Sequence, residues 1–152
     1  MIVSNRFTLD TNILIYAVDR SAGQRHSVSN ALVHRSAESD CFLTVQALGE
    51  FFHAATRKGK ATVAQASAYT HAWQNVFRIA ASTQSTFNKA IERVRDHGLS
   101  FWDAMLWVTA EQAGCAFVLS EDMQHGQSLG GVEILNPFAE DADRALSRLL
   151  GR

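Results

Sequence analysis

The sequence predicts an α/β fold with a mainly parallel sheet covered by helices on both faces. Three observations carry that prediction. Short apolar runs rich in β-branched and aromatic residues recur along the chain. Segments with helical periodicity, long enough to serve as crossovers, separate them. No internal repeat, low-complexity tract or Pro/Gly/Ser-rich linker divides the 152 residues, a length that suits one domain with its own core.

Taken in order, Phe7-Thr8-Leu9 reads as the first strand and Ile13 to Val18 as a helix, with a second helix over Gln24 to Ala37. Cys41 to Thr44 is the next strand. In the segment after it, Val45, Leu48, Phe52 and Ala55 follow one another at offsets of three and four, which places them on one helix face. Further helices are predicted over Val63 to Asn75, Phe87 to His97 and Phe101 to Ala113, with Gly23, Gly59, Gly98 and Gly114 as breaks. Ala116 to Leu119 is the third clear strand, and Val76 to Ile79 and Val132 to Leu135 are weaker ones. The acidic tail, Glu140, Asp141 and Asp143, leads into a helix-spaced stripe of Leu146, Leu149 and Leu150 that either folds on the body or meets a partner.

Composition narrows the function classes. No stretch reaches the apolar length of a membrane span, and Met1 to Asp10 lacks the basic start and apolar core of a signal peptide, so a cytoplasmic protein is expected. Cys41 and Cys115 stand far apart in apolar runs, which reads as two buried thiols in a reducing compartment. The net charge of −1 hides an asymmetry: residues 1–100 carry eleven basic and seven acidic groups, residues 101–152 three and eight. No phosphate-cradling glycine loop is present, so no nucleotide cofactor is expected, and the six histidines form no tight ligand pair.

In open parallel sheets ligands bind beyond the carboxyl ends of the strands. Four acids fall there: Asp10 after the first strand, Glu50 on the helix after the second, Asp103 at the start of the helix before the third, and Asp122 just past the third. Each has a structural alternative. Asp10 is a helix N-cap, Ser100-Phe101-Trp102-Asp103 fits a capping box, and Asp122 suits a loop. Glu50, flanked by Leu48-Gly49 and Phe51-Phe52, is the hardest to place structurally. Together, acids at one edge repel one another and are best held by a divalent cation with oxygen ligands. Carboxylates without a Cys or His pair suit Mg²⁺ or Mn²⁺, which can activate water against a phosphodiester.

Asp10-Thr11-Asn12, Glu50, the Leu99 to Ala104 segment and Ser120-Glu121-Asp122-Met123 resemble, in order, the four acidic motifs of the PIN-domain ribonucleases. Within that family the chain is most similar to VapC-type toxins, from Phe7 to about Phe138, including Ser120 to Gly126 and Ile134 to Phe138. The resemblance implies a three-layer α/β/α PIN-like fold over residues 1–138 with 139–152 as a C-terminal helix or tail. It implies a Mg²⁺- or Mn²⁺-dependent endoribonuclease, a homodimer, and a small VapB-like antitoxin as partner. Carried over by motif, Asp10 and Asp103 are the firmest metal ligands, Glu50 and Asp122 complete the acidic pocket, and Thr11, Asn12 and Ser120 support it by hydrogen bonding. Asp122 is taken over its neighbour Glu121 on its spacing from the strand.

Two basic groups, Arg57, Lys58 and Lys60, and Lys89, Arg93 and Arg95, are candidates for RNA phosphate contact, their alternative being a solvated face. Trp73, Trp102 and Trp107 are candidates for base stacking, with burial favoured for Trp102 and Trp107 because they lie in an apolar helix. Two competing functions remain at this level. One is a haloacid-dehalogenase-like phosphatase with Asp10 as nucleophile, against which Asn12 stands where a second Asp is expected. The other is a binding module for RNA or antitoxin in which the acids no longer work.

Overall fold

In the computed structural model, which describes residues 4–151, six strands form one sheet: β1 (Phe7–Leu9), β2 (Cys41–Thr44), β3 (Arg78–Ala80), β4 (Phe117–Leu119), β5 (Ser128–Leu129) and β6 (Val132–Leu135). Residues 1–3 and 152 of the expected domain and tail lie outside the described residues. The spatial order is β3-β2-β1-β4-β6-β5, parallel except for the β5–β6 hairpin. The helices are α1 (Thr11–Val18), α2 (Gln24–Ser36), α3 (Val45–Arg57), α4 (Val63–Val76), α5 (Gln84–His97), α6 (Phe101–Gln112) and α7 (Asp143–Leu149), with a 3-10 turn over Arg20–Ala22.

Period-two side-chain alternation divides the core between the two faces of the sheet. Phe7, Leu9, Leu43, Phe117, Leu119 and Leu135 pack against α1 to α4 and α7. Val118, Val132 and Ile134 pack against α6, on which α5 lies in turn. Strands buried on both faces read as continuous apolar runs, which is why the short runs in the sequence were sufficient signals. The tail is part of this core: Ala142 and Leu149 are buried in the same cluster as β1.

Local chemistry sets the helix starts. Thr44, Thr62, Thr83 and Ser100 each accept a backbone N–H from the first turn of the following helix. The structure moves several expected boundaries. The segment Val76 to Ile79 splits, Val76 closing α4 and β3 starting at Arg78. The Thr83–Thr86 capping box starts α5 ahead of Phe87. The buried stripe of α3 is Ala47, Leu48, Phe51 and Ala55, with Val45 turned to solvent. The short strand β5 carries no sequence signal beyond its turn.

That turn is Gly130-Gly131, with φ of 57° and 79° at its two positions, the two-residue loop that matches strand twist. A Cβ at Gly130 would collide with the Glu111 carboxylate, which Lys89 and Arg93 hold at 2.8 and 3.0 Å. A Cβ at Gly131 meets nothing. Gly131→Ala is therefore expected to lower stability by about 1 kcal/mol through backbone strain alone. Gly130→Ala is expected to lower it by roughly 2–3 kcal/mol, because the acid and its two cations must also move. Paired urea denaturation curves check the difference.

Candidate active site

The sheet changes direction between β1 and β4. From β1 the chain adds β2 and β3 on one side, then crosses back to lay β4 on the other, so the crevice at the carboxyl ends of these two neighbours is the topological switch point. Leu9 pairs with Leu119, and the Asp10 N–H continues the ladder to the Leu119 carbonyl at 2.9 Å. Asp10 and Ser120 therefore emerge side by side. Ser120, fully buried, donates its hydroxyl to Asp10 Oδ2 at 2.7 Å, while Asp10 Oδ1 accepts the Thr11 N–H at 2.7 Å and caps α1.

Asn12 ties the two strand ends further. Its amide nitrogen lies 3.3 Å from Asp10 Oδ2, 3.3 Å from Ser120 Oγ and 3.2 Å from Asp122 Oδ2, and its oxygen accepts the Glu121 N–H at 3.2 Å. The two adjacent acids part company here. Glu121 accepts the Tyr16 hydroxyl at 2.6 Å and is ion-paired with Arg25, which lowers its pKa. Asp122 faces a cleft of about 340 Å³ lined also by Asp10, Thr11, Asn12, Tyr16, Glu50, Lys58 and Asp103.

Each remaining acid arrives on its own element. Asp103 stands in the first turn of α6, where Ser100 Oγ accepts its backbone N–H at 3.4 Å while the Asp103 carboxylate makes no reciprocal bond to the cap, in contrast to the boxes that open α4 and α5. Glu50 lies on the exposed side of α3 rather than among its apolar neighbours, and accepts the Gln46 amide at 2.7 Å. Asp10, Glu50, Asp103 and Asp122 thus line one cleft from four separate segments.

The cleft is electrostatically loaded. Burial raises the Asp10 carboxyl from 3.8 to about 6 against the lowering effect of the Ser120 and Thr11 hydrogen bonds, and the nearby charges of Asp103 and Glu50 raise it further. The Thr11 hydroxyl oxygen is buried there without a partner. Among the described residues no three acidic, histidine or cysteine side chains already surround one point, since Glu50 is turned to Gln46 and Asp122 to Asn12. An all-oxygen donor set, a destabilised buried carboxylate and an orphan hydroxyl fit a hard divalent cation of the Mg²⁺ or Mn²⁺ kind.

The basic candidates separate. Lys58, at the end of α3, lines the cleft, and Arg57 beside it is exposed. Lys60 pairs with Asp19 at 3.1 Å, Lys89 and Arg93 with Glu111, and Arg95 with Asp96 at 2.9 Å; none of these four lines the cleft. The tryptophans also divide. Trp73 and Trp107 are buried, Trp107 donating to the Val132 carbonyl at 3.2 Å, whereas Trp102 is 61% exposed, against the burial expected of it. Position 102 is the second residue of α6, before the helix passes under the sheet, so the apolar residues after it were a poor guide to its surroundings. Tyr16 and Gln46 were missed. Both carry only the signal of helical spacing, Tyr16 from Asn12 and Gln46 from Glu50.

A family model described as PIN domain matches residues 7–128. Among curated protein sequences none matches the chain. Among solved structures the chain is similar to the Mycobacterium tuberculosis VapC20, a sarcin-ricin loop cleaving toxin, at 19% identity and a TM-score of 0.60 over 76% of this chain and 91% of that one. It is similar to a toxin-antitoxin complex from Klebsiella pneumoniae at 18% identity and 0.60, covering 86% and 97%. It is also similar to VapBC2 from Rickettsia felis, bound to a fragment of promoter DNA, at 12% identity and 0.60, covering 85% and 96%.

A carboxyl with a raised folded pKa destabilises the fold once it ionises. Below pH 3.8 Asp10 is protonated folded and unfolded and contributes nothing; between 3.8 and about 6 the unfolded chain loses its proton first and stability falls; above that the full penalty stands. In metal-free protein at pH 8, Asp10→Asn is therefore expected to gain on the order of 1–3 kcal/mol, less whatever is lost at the Ser120 hydrogen bond. The gain shrinks toward zero as the pH approaches 4. Thermal unfolding of both proteins across this range, in chelator, measures it.

Proposed function

The chain belongs to the PIN-domain family, and from that premise we propose that it is a divalent-metal-dependent endoribonuclease, the toxin of a VapBC-like toxin–antitoxin pair. The observation that carries the proposal is the meeting of Asp10, Glu50, Asp103 and Asp122 in one cleft at the switch point of the sheet. A bound cation would supply the Lewis acidity that neutralises charge on the phosphodiester and lowers the pKa of a water.

The chain's own residues supply the rest. Asp10 is fixed in rotamer by Ser120 and Thr11, and Asp122 by Asn12, so the acids that would hold the ion are set before it arrives. Glu50, exposed and held only by Gln46, is the acid free to turn and accept a proton from the attacking water. Lys58 is the cation on the cleft wall, placed to hold a substrate phosphate that the carboxylates otherwise repel. Hydrolysis then proceeds by direct attack of water on phosphorus, with the ribose oxygen leaving.

The phosphatase reading loses its support at Asn12, whose amide is committed to bridging both strand ends and cannot serve as a general acid or base as a carboxyl would. The inactive-module reading is separated by assay. The proposal extends to a VapB-like antitoxin that covers the cleft, a homodimer and a cytoplasmic setting. The antitoxin is supported by the toxin–antitoxin complexes among the similar structures and the setting by two buried free thiols, Cys115 pushed up to about 12 by burial.

Purified protein with small RNA is expected to give discrete fragments in Mg²⁺ or Mn²⁺ and none in chelator. Asp103→Asn is expected to keep the fold and lose roughly three orders of magnitude in kcat/KM, the scale of several kcal/mol of charge stabilisation. Full activity of Asp103→Asn at matched metal sinks the assignment; RNA binding with neither metal uptake nor cleavage favours the binding module. Lys58→Ala is expected to raise KM by roughly tenfold and flatten the salt dependence of binding, read from fluorescence anisotropy at several ionic strengths.

A further inference from the structure

Beside the acidic cleft lies a second, apolar groove of about 550 Å³, lined by Val45, Gln46, Glu50, Ser82, Trp102 and Met105. Glu50 belongs to both. On its other side the acidic cleft shares Lys58 with a depression of about 530 Å³ that holds Arg20 and the Lys60–Asp19 ion pair, so Lys58 and Arg20 are its cations without an ion-pair partner among the described residues. Helix α3 strings the three together. Gln46, Glu50, Ala54 and Lys58 follow one another at intervals of four, one row on the helix surface, reaching over roughly 18 Å at 1.5 Å per residue.

A trough that runs from aromatic and apolar through acidic to basic is a surface for one strand of nucleic acid: base against ring, reacting phosphate at the acids, next phosphate at the cations. We infer, resting on the ribonuclease reading, that the exposed face of Trp102 is a stacking platform for an unpaired base adjoining the scissile phosphate, and that Gln46 reads that base's edge.

The geometry at Trp102 is built for this. Phe101 meets its ring edge-on, with centroids 4.9 Å apart, and is itself met edge-on by Phe87 at 5.9 Å, so the indole is braced while over half its surface stays open. Gln46 is oriented by two acceptors, donating at 3.0 Å to the Trp102 carbonyl and at 2.7 Å to Glu50. Its amide nitrogen is thereby used, and its carbonyl oxygen remains to accept an amino or imino group of a base. The Gln46–Glu50 bond also couples the platform to the acid proposed to handle the water. A duplex keeps its bases stacked on one another and cannot use such a site, so the preferred substrate is single-stranded or a loop.

Trp102 is the exposed tryptophan, Trp73 and Trp107 being buried, so the part of the intrinsic fluorescence that RNA quenches and Trp102→Phe removes reports on it. The test titrates the Asp103→Asn protein, which spares the strand, with a short unstructured oligoribonucleotide, with the same oligomer carrying abasic residues, and with its duplex. Quenching by the intact single strand, absent with the other two and lost in Trp102→Phe, is expected. In the active protein Trp102→Ala is expected to raise KM roughly tenfold to a hundredfold with kcat nearly unchanged, and Trp102→Phe to restore most of it.

Equal KM for Trp102→Ala overturns the platform, and cleavage that still needs Asp103 and metal leaves the nuclease reading standing. Quenching by RNA in a protein that cleaves nothing does the reverse. A tryptophan emission that shifts with protein concentration and ignores RNA overturns the proposal in favour of a second copy of the chain on this face.

Discussion

The register of β1 on β4 is the constraint from which the site follows. Because Leu9 lies opposite Leu119, the next residue of each strand is delivered to the same point, and the hydroxyl of Ser120 reaches the carboxylate of Asp10. A shift of one residue in either strand would turn Asp10 or Ser120 to the other side and move Leu9 or Leu119 from the α1–α4 face of the sheet to the α6 face, where their neighbours do not fit them. The same apolar side chains that hold the sheet together therefore fix the polar pair at its edge. Asn12 then converts the pair into a bridge, since it touches both strand ends and Asp122 at once.

The cleft is held in a state the fold alone would not choose. Asp10 is buried near two other acids and only partly compensated by its hydrogen bonds and by the N-terminus of α1. Elsewhere the chain pairs its acids with cations: Glu121 with Arg25, alongside the Tyr16 hydroxyl, Glu111 with Lys89 and Arg93, Asp40 with Arg6 and Arg78. Against these ion pairs, the acidic cleft around Asp10 holds electrostatic strain that an incoming cation would remove.

Much of this was legible in the sequence, for identifiable reasons. Strands that are apolar on both faces announce themselves, and acids just after them stand out. The meeting of Asp10, Glu50, Asp103 and Asp122 was readable because strand ends in a parallel sheet share one edge. What the sequence did not disclose depends on contacts across it. Lys89 and Arg93 look like free cations until α5 packs on α6 and brings Glu111 between them. Glu50 sits in an apolar run yet is exposed, because a rotation of less than one turn on α3 separates it from Phe51. Trp102 looked buried for the converse reason, lying in the first turn of a helix whose middle, Ala104 to Ala110, is buried all round.

The bridge at the strand ends joins residues 110 positions apart. During synthesis the chain therefore makes β1, β2 and β3, and with them Asp10 and Glu50, long before the strand that completes the crevice has left the ribosome. The half-sheet that precedes β4 has an open edge where β1 will be paired and no partner for Asp10 other than water and its own helix. Such long-range closure comes late in folding. The complete cleft in this topology is a property of the nearly finished polypeptide, and a chain interrupted before Ser120 carries Asp10, Glu50 and Asp103 without Asp122 and without the bridge that gathers them.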